Sequence, residues 1–446
     1  MWRAIADQLH PAIAIELNIL IVTYNWPPRN AMGTHRPYSW AKSWQAFDCA
    51  VTVLTSEKYT FDEPLDLELD RIPGVTVEQV PYLNSAMQRL GLETQHDGRT
   101  RLIKKLIACF KRIKVFFART IGLSIDARGR WAKPAFRRAC EIVESDCIDV
   151  VVSSYGPRAS HRIAARIKKK YPNVRWVADF RDLWSGNPTL GGILVPWVRQ
   201  SERNECAAAD AITTVSAGFA AELSDLHSKD VVVVRNGFDT PLSLIKELLD
   251  KRNTAVSRSE KPVNIVYTGN YYHKLQDPKP IFRAVRDLME SGSLGVDGLR
   301  IHFYGARSHG LSALVEDCGA EGFVTIHGAV SRAEAVELQR NASALLLLEV
   351  LETKSGGVLP GKVFEYMASG APIICVGDGH DIELSDIIHE TGVGISVGKN
   401  EESLAAAIGE LSLSTWPSWF SPRLDNISTY SRNESAEKMY RTLADN

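Results

Sequence analysis

Short apolar runs alternate with segments of helical character along most of this chain, and no other feature limits its fold as strongly. In the first half, strands are expected at 17–23, 51–55, 149–153, 176–179, 211–215 and 231–234. In the second half, they are expected at 264–268, 301–304, 323–326, 344–348, 373–376 and 393–397. Strands separated by helices predict parallel sheets with helices on both faces, in which ligands bind beyond the carboxyl ends of the strands.

Length and composition predict two globular domains. A chain of 446 residues is too long for one core, and we expect domains at 1–240 and 262–415. A polar linker is predicted at 241–261, and a C-terminal segment at 416–446. Hydrophobic content of 45% and charged content of 24% are typical of globular proteins. The net charge of −1 gives no reason to expect nucleic acid as a partner.

Cysteine usage and the apolar segments indicate the compartment. The seven cysteines are scattered without a CxxC pair, which predicts a reducing compartment with neither disulfides nor a zinc site. The apolar segment 12–22 is interrupted by Glu16 and Asn18, which argues against a signal peptide. No apolar window reaches about 18 uninterrupted residues, so a membrane-spanning helix is not expected. A cytoplasmic protein is therefore predicted.

The segment 360–372, with the sequence PGKVFEYMASGAP, has the most specific pattern in the chain. It lies between the strands expected at 344–348 and 373–376 and follows a glycine loop. A helix that starts there offers free backbone N–H groups and a partial positive charge, which suit a phosphate. Lys362 adds a full charge in the first turn, and Glu365 lies one turn further on, within reach of a ribose hydroxyl. This spacing predicts a nucleotide diphosphate site.

Two other loops of the second half are candidates for the same ligand. Gly269 and Asn270 follow the first strand of this half, where a glycine lets a ligand approach the backbone closely. Lys274 follows in that loop as a candidate phosphate contact. The alternative is an ordinary turn with a solvated lysine. Gly328 and Val330 close another strand and suit the flat apolar pocket of a base.

Polar residues of the first half are expected to converge on a second ligand, because they follow neighbouring strands at one sheet edge. They are Gly33, Arg36, Tyr155, His161, Arg181 and Asp182. Three alternatives remain open at this stage. Arg36 is then a surface arginine beside a tight turn, His161 is a satisfied structural histidine, and Arg181 and Asp182 only pair with each other.

A strongly basic region covers 99–138. It contains thirteen lysines and arginines against one acid, Asp126, which gives 13 − 1 = +12, with apolar residues interleaved. A basic amphipathic helix suits an anionic membrane surface. The alternatives are a helix packed on its own domain with a solvated basic face and, as a poorer option, nucleic acid.

The sequence lacks the usual signatures of other chemistry. It contains no GxSxG elbow, no Walker glycine–lysine loop and no HExxH motif. Asp66, Glu68 and Asp70 alternate, but we interpret them as solvated side chains. No metal site is predicted.

Several motifs together resemble those of glycosyltransferase family 4. These are PGKVFEYMASGAPII at 360–374, ADFRDLW at 178–184, TTVSAGF at 213–219, RNGFD at 235–239 and VYTGN at 266–270. The resemblance runs from about 18 to 440 and is weakest at 57–145. The family contains retaining nucleotide-sugar transferases of GT-B architecture.

The resemblance implies two Rossmann-like, doubly wound domains that face a central cleft. The first half then binds the acceptor, through Gly33, Arg36, Tyr155 and Arg181. The second half binds the nucleotide sugar, through Gly269, Asn270, Gly328, Val330, Gly357, Val358, Leu359 and Glu365. Glu365 is implied to hold the donor ribose, and the final helix, at about 434–442, is implied to return to the first domain.

The chain departs from the family pattern at two places. The family carries an earlier glutamate where this chain has Gly357, so backbone N–H groups of Gly357, Val358 and Leu359, or the carboxylate of Glu349 or Glu352, are expected to replace it. The usual arginine–lysine pair after the first strand of the second half is represented only by Lys274. Both departures concern the identity of the sugar.

The resemblance implies sugar transfer with retention, in which a phosphate oxygen of the leaving group accepts the acceptor's proton. Lys362, Lys274 and the helix start are expected to neutralise the departing diphosphate without a metal or cofactor. His161 and Asp182 are the catalytic candidates of the first half. The expected acceptor is a lipid-linked sugar or a polysaccharide precursor, used by a peripheral protein on the inner membrane face. A nucleotide-sugar epimerase of GT-B fold and a non-catalytic nucleotide-sugar-binding protein remain alternatives.

Overall fold

The computed structural model describes residues 17–83, 127–187, 193–254, 262–273, 275–295, 297–306, 308–350, 358–379, 382–411 and 415–444. The chain divides into two compact units. The first unit comprises Met1–Arg235 and Ser435–Asn446, and the second comprises Asn236–Glu434.

The described part of the first unit contains a seven-stranded parallel sheet. Its strands are β1 (Asn18–Val22), β2 (Ala50–Ser56), β3 (Val75–Val80), β4 (Val150–Ser154), β5 (Arg175–Phe180), β6 (Ala211–Thr214) and β7 (Val231–Val233). The strand order is β3-β2-β1-β4-β5-β6-β7. The central strands β1 and β4 are buried over almost their whole length, as expected for a parallel sheet covered on both faces.

Helices of the first unit connect successive strands of this sheet. They are α1 (Met32–Ser43), α2 (Ala132–Ser145), α3 (Ala159–Lys170), α4 (Val195–Cys206) and α5 (Ala217–His227). In α3, Ile163, Ala164 and Ile167 share one buried face, whereas the last turn carries three lysines. This placement is favourable because cations stabilise the negative end of the helix dipole.

The described part of the second unit contains a six-stranded parallel sheet. Its strands are β8 (Val263–Thr268), β9 (Leu299–Tyr304), β10 (Val324–Gly328), β11 (Ala344–Leu348), β12 (Ile373–Val376) and β13 (Gly394–Ser396), in the order β10-β9-β8-β11-β12-β13. Side chains of β11 alternate between two cores. Leu346 and Leu348 pack on one face of the sheet, and Leu345 and Leu347 pack on the other.

Helices cover both faces of this second sheet. They are α6 (Leu242–Thr254), α7 (Lys279–Glu290), α8 (Leu311–Asp317), α9 (Arg332–Asn341), α10 (Lys362–Ser369), α11 (Ile382–Thr391), α12 (Glu401–Leu411) and α13 (Leu424–Ser428). The last helix, α14 (Arg432–Ala444), packs in the first unit from Ser435 onward. There Met439 and Leu443 join the core, and the Trp44 indole N–H donates to the Ala436 carbonyl at 2.9 Å.

The structure confirms the predicted α/β class, with a doubly wound parallel sheet in each unit. It also contains elements that the sequence pattern did not reveal, among them β3, α5, α8 and α13. Strand β3 lies at the sheet edge, where half-exposed side chains weaken the apolar pattern. The segment expected as a linker, 241–261, begins with α6, whose Ile245 and Leu249 are buried in a core of the second unit. Helix α6 is therefore part of that unit.

A buried ionic network fixes the carboxyl ends of three strands in the first unit. The Asp179 carboxylate on β5 is fully buried and lies 2.7 Å from Arg36 Nη2. It also accepts hydrogen bonds from Ser154 on β4, at 3.0 Å, and from Thr213 on β6, at 2.9 Å. Arg36 donates further to the Arg235 carbonyl at 3.3 Å. The network therefore joins α1 to β4, β5 and β6.

We expect Asp179→Ala to destabilise the first unit by about 3–5 kcal/mol, because it leaves the Arg36 guanidinium buried without its counter-ion. Urea titration measures the free energy of unfolding. Asp182→Ala is the matched control: its carboxylate is 54% exposed and pairs with Arg181, so the loss is about 0–1 kcal/mol. Equal losses in the two variants would contradict this role for the network.

Candidate functional site

The strand order of the second unit reverses between β8 and β11, and such a switch point is where ligands bind in doubly wound sheets. Lys362 is the first residue of α10, the helix that follows β11. Its ammonium donates a hydrogen bond to the hydroxyl of Tyr267 on β8 and lies 3.7 Å from the centre of that ring. The Lys362 side chain therefore spans the switch point.

The hydroxyl of Tyr267 is held in turn by the loop that follows β8. It donates to the Asn270 carbonyl at 2.7 Å, and Gln276 Oε1 lies 3.2 Å away. Gln276 is buried, and its Nε2 donates to the Leu348 carbonyl at the end of β11, at 3.2 Å. The loop is thus fixed to both strands of the switch point.

Gly269 closes β8 directly over the Lys362 side chain. Its φ of +111° is one that residues with a Cβ rarely adopt, and a Cβ there would lie 2.6 Å from Lys362 Cε. The amide of Gly269 donates to the Tyr304 carbonyl at 2.6 Å. Gly269 itself is exposed, so its backbone is open to a ligand, whereas Asn270 is half-buried.

Burial controls the charge of Lys362. Desolvation lowers its pKa to about 7, and the nearby Glu365 carboxylate opposes this shift. Burial raises the pKa of Tyr267, so the phenol keeps its proton. An anion that reaches Lys362 would favour the ammonium form and supply the counter-charge that the free site lacks.

The start of α10 is anchored to the end of β8 by a second tyrosine. The Thr268 amide donates to the Tyr366 hydroxyl at 2.9 Å, and both residues are buried. Glu365, one turn after Lys362 on α10, keeps 33% of its side chain exposed and lies 3.8 Å from Arg332, the first residue of α9. Among the described residues, no side chain caps the amino end of α10 at Gly361.

The loop after β10 leaves space at its glycine. Gly328 has φ +87°, and within the described parts of the chain no atom lies within 4 Å of where its Cβ would stand. Its carbonyl accepts from the Gly305 amide at 2.6 Å. Beside it, the rings of His327 and Tyr304 stack at 4.2 Å, and Val330 is half-buried. This arrangement combines an open backbone with an aromatic surface.

Glu349, Val358 and Leu359 are the described residues among those expected to replace the family's first glutamate. Gly357, Glu352 and Lys274 lie outside the described residues. Val358 is half-buried and Leu359 is buried. Glu349 is 3% exposed, and its carboxylate accepts from the Gly379 amide at 3.0 Å and packs against Gly377. Glu349 therefore supports the loop after β12.

The switch point of the first unit lies between β1 and β4 and is also bridged by polar groups. Asn25, after β1, donates to the Gly156 carbonyl, after β4, at 2.7 Å. The Arg181 guanidinium passes between two glycines. A Cβ on Gly33 would lie 2.7 Å from it, and one on Gly156 would lie 2.6 Å from its Nη2. Both glycines are therefore needed for the position of Arg181.

Three of the predicted first-unit residues lie around this Arg181. Its Nε donates to the Tyr155 carbonyl at 3.0 Å, and its Nη2 lies 3.1 Å from the Asp182 carboxylate. The Tyr155 ring is half-buried and stacks near Phe180. The structure thus brings together Gly33, Tyr155, Arg181 and Asp182.

Two of the predicted residues, Arg36 and His161, are buried and do not join this group. Arg36 is 4% exposed and occupied by Asp179, so its predicted contact with an acceptor is replaced by a role in holding the strands. His161 is fully buried. Its Nδ1 lies 2.8 Å from the Ser153 hydroxyl, and desolvation lowers its pKa to about 3. A neutral imidazole without exposed surface does not reach a substrate, so the structural alternative replaces the catalytic prediction.

Most of the basic region, 99–126, lies outside the described residues. In its described part, Arg128 donates to Asp62, and Arg138 pairs with Glu78 and Glu141 on the surface. No helix in the described parts of the chain is both long and apolar enough to cross a membrane. The same residues contain no cluster of three or more His, Cys, Asp or Glu that would suit a metal ion.

Tyr267, Gln276 and Asn25 were not identified from the sequence. Each belongs to a loop or strand end whose position was predicted, but its contacts join segments far apart in the chain. Tyr267 lies within the VYTGN motif, and Asn25, shortly after β1 at a switch point, is a candidate for a ligand loop.

Fold and site together define a protein with a doubly wound parallel sheet in each of two units and polar groups at both switch points. A family model described as "Glycosyl transferase 4-like domain" matches residues 33–237, and one described as "Glycosyl transferases group 1" matches residues 262–413. The chain therefore belongs to the family 4-like glycosyltransferases of GT-B fold, as its motifs predicted. No curated protein sequence matches it significantly.

Solved structures share the fold at low sequence identity. Sucrose-phosphate synthase from Thermosynechococcus elongatus is 13% identical, with a TM-score of 0.60 over 96% of this chain and 99% of that one. The Anabaena protein HepE in complex with UDP is 11% identical, with a TM-score of 0.60 over 96% and 100%. A lipopolysaccharide outer core galactosyltransferase is 13% identical, with a TM-score of 0.55 over 96% and 99%.

We expect Gly269→Ala to displace the Lys362 side chain and to cost about 1–3 kcal/mol of backbone strain. The extent of amine labelling of Lys362 is measured by mass spectrometry as a function of pH. The midpoint of this curve is expected near pH 7 in the wild type and at a higher pH in the variant, because the ammonium enters water. Gly292→Ala is the control, since Gly292 also has a positive φ, of +72°, but open space around its Cβ. The control loses stability and keeps the midpoint, and an unchanged midpoint in Gly269→Ala would contradict the packing of Gly269 on Lys362.

Proposed function

We propose that this protein is a retaining glycosyltransferase that moves a sugar from a nucleotide-diphosphate sugar to an acceptor. The acceptor is a lipid-linked sugar or another polysaccharide precursor, and the second unit holds the sugar donor. The observation that carries the proposal is the half-buried Lys362 ammonium at the start of α10, between Tyr267 and the exposed backbone of Gly269. Solved structures of the same fold include one bound to UDP and one to UDP-glucose, which supports this ligand class.

The site has the charges that breaking a sugar–phosphate bond requires. Negative charge develops on the diphosphate as the bond breaks, and fixed cations and dipoles stabilise it in a site that excludes water. Lys362 and the amino end of α10 serve this purpose in the proposal, and Lys274 adds to them. No metal is required in the proposed mechanism, because these groups supply the positive charge.

The proposal also assigns the remaining donor contacts. Glu365 is partly exposed one turn beyond Lys362 and is proposed to accept hydrogen bonds from the ribose hydroxyls. The open backbone at Gly328 and the neighbouring Val330 are proposed to face the base. The amides of Gly357, Val358 and Leu359 and the loop at Asn270 are proposed to contact the sugar and its phosphates.

The acceptor side of the proposal uses the first unit. Arg181, with Gly33 and Tyr155, forms the polar edge that faces the acceptor, and Asp182 is the carboxylate available there. Retention is proposed to occur without an enzymic nucleophile, so that a phosphate oxygen of the departing diphosphate accepts the proton of the attacking hydroxyl. The new bond to the anomeric carbon then forms on the same face of the sugar as the bond that breaks.

Association with the cytoplasmic face of a membrane completes the proposal. Besides the basic region, Ile193, two residues before α4, and Trp197, in its first turn, are 81% and 74% exposed. They follow β5, on the sheet edge where the acceptor groups lie. Tryptophan is favoured at membrane interfaces, where its ring meets both lipid and water.

The test is incubation with labelled nucleotide sugars and with acceptor lipids in anionic or neutral vesicles. Transfer of label to lipid is expected, with faster transfer and stronger flotation on anionic vesicles at low salt. Lys362→Met keeps the length of the side chain but removes its charge. It should lower kcat/KM by about ten- to a hundredfold, because a charged hydrogen bond contributes roughly 1.5–3 kcal/mol. Trp197→Ser should weaken flotation alone.

Other outcomes have definite meanings. Label that appears in an altered free donor indicates an epimerase, and donor binding without turnover indicates a non-catalytic binding protein. Wild-type turnover in Lys362→Met would remove the lysine from the mechanism, and vesicle binding that ignores lipid charge would remove the anionic surface.

The pKa of Lys362 predicts proton uptake when the sugar donor binds. At pH 8 the free lysine is mostly neutral, because its pKa is about 7, and the bound diphosphate raises that pKa and protonates it. Donor affinity should therefore fall as the pH rises above about 7. Calorimetry at pH 8 in buffers of different ionisation enthalpy should show uptake of up to about one proton in the wild type and none in Lys362→Met. Absence of uptake in the wild type would contradict the contact.

A further inference from the structure

A second charged site lies in the first unit, around the buried carboxylate of Asp62. Its Oδ2 accepts hydrogen bonds from the Tyr24 hydroxyl, at 2.7 Å, and from the Tyr59 amide, at 3.2 Å. Its Oδ1 accepts from Arg128 Nε at 3.1 Å and lies 3.6 Å from Arg29 Nη1. The carboxylate is therefore already saturated with donors from its own chain.

Three cations surround the neighbouring Tyr24 ring. The Lys58 ammonium lies 5.2 Å from the ring centre, the Arg128 guanidinium 5.3 Å and the Arg29 guanidinium 5.6 Å. Among the described residues of this cluster, three positive groups thus meet one negative group, Asp62. Glu57, the next carboxylate in the loop, accepts from the Tyr59 hydroxyl at 3.1 Å.

The three cations are close enough to influence one another's pKa values. Burial lowers the pKa of Arg29, and the nearby Arg128 and Arg181 lower it further. Burial likewise lowers the pKa of Lys58 to about 7. The Asp62 carboxylate opposes that shift, and Arg29 adds to it. Like charges held close together are unfavourable unless an anion reaches them.

Exposure within the cluster is asymmetric. The Asp62 side chain has no exposed surface, whereas Arg29 keeps 16% and Arg128 keeps 26% of theirs, and Lys58 is half-buried. A molecule that arrives from solvent therefore meets guanidinium and ammonium groups, while the carboxylate stays behind them.

The cluster lies at the sheet edge that positions the predicted acceptor residues. Tyr24 and Arg29 follow β1, Lys58 and Asp62 follow β2, and the charge of Arg29 is influenced by Arg181. The carboxyl ends of these neighbouring strands form the ligand edge of a doubly wound sheet. The cluster and the Arg181 site are therefore parts of one surface.

We propose that Arg29, Lys58 and Arg128 bind a phosphate or diphosphate group of the acceptor. The proposal rests on the proposed function, since it names the chemical class of the acceptor that the first unit receives. A guanidinium group can donate two parallel hydrogen bonds to the oxygens of one phosphate, and an ammonium group adds a positive point charge.

A phosphate suits the cluster better than a carboxylate does. Three cationic side chains around one buried carboxylate, counted among the described residues of the cluster, attract a doubly charged phosphate monoester or a diphosphate more strongly than a singly charged carboxylate. The same phosphate chemistry occurs in a soluble sugar phosphate and in a polyprenyl diphosphate-linked sugar. The two sources differ only in whether the phosphate is presented by a membrane.

The experiment measures binding of two probes by the whole chain in the Lys362→Met background, which lacks the cation proposed for the sugar donor. Inorganic pyrophosphate is the soluble probe, and neutral phosphatidylcholine vesicles doped with a polyprenyl diphosphate are the membrane probe. Glucuronate is the carboxylate control. Binding of pyrophosphate, of the doped vesicles or of both is expected, with glucuronate at least about tenfold weaker.

Arg29→Met and Lys58→Met are each expected to weaken probe binding by about tenfold or more. Arg128 is kept because it hydrogen-bonds the buried Asp62 carboxylate. Lys58→Met tests the site even if Arg29→Met fails to fold, because the Lys58 ammonium donates to Ser56 and Thr55 rather than to that carboxylate. Lys42→Met, at an exposed position near the end of α1, should stay within about twofold of the background.

Each outcome decides the proposal. Binding to the doped vesicles alone identifies a membrane-linked phosphate, and binding of pyrophosphate identifies a site that also takes soluble phosphates. The proposal is overturned if glucuronate binds as tightly as the phosphate probes or if neither probe binds. It is also overturned if Arg29→Met and Lys58→Met bind the probes as tightly as the Lys362→Met background does. Loss of nucleotide-sugar binding in the otherwise unmodified chain would sink the proposed function alone, because the phosphate measurements do not use the second unit's lysine.

Discussion

Both units depend on one constraint, which is that a parallel strand covered by helices on two faces has no place for an unpaired polar group along its length. Leu345 to Leu348 on β11 and Val150 to Val152 on β4 are buried on alternating sides, and polar side chains therefore collect where the strands end. Each sheet reverses its order once, between β1 and β4 and between β8 and β11. At these two points the loops diverge and leave room for ligands, and both candidate sites lie there.

Buried charges at these edges fall into two kinds, which differ in how they are neutralised. Asp179 has its counter-ion and two hydroxyl donors within its own unit, so its network is complete and holds strands together. Lys362 has a phenol oxygen and a peripheral carboxylate, and burial pushes it toward the neutral form. Among the described residues, the Asp62 cluster has three cations around one buried carboxylate. The Asp179 network stabilises the fold, whereas the Lys362 site and the Asp62 cluster are where we propose that anions bind.

Sequence patterns located most of the fold, and they placed Gly33, Tyr155, Arg181 and Asp182 at one sheet edge of the first unit. Helix α7 and strands β11 and β12 begin and end where the apolar pattern predicted, because their side chains are buried in regular alternation or at helical spacing. Strand β3 was missed since an edge strand with exposed side chains has little apolar pattern. Arg36 and His161 were placed on the correct sheet edge, but a sequence cannot show which side chains of a loop turn inward to meet Asp179 or Ser153.

The sequence by itself determined the α/β class, the glycosyltransferase family and the position of the Lys362–Glu365 helix, because strand and helix periods and a helix-start motif are local properties. Only the tertiary structure decided which groups meet. Tyr267 holds Lys362, Arg181 passes between Gly33 and Gly156, and Arg128 joins Arg29 on Asp62 across 66 residues of sequence or more. Such contacts depend on strand order and on the space that each glycine leaves, and these are set when distant segments pack together.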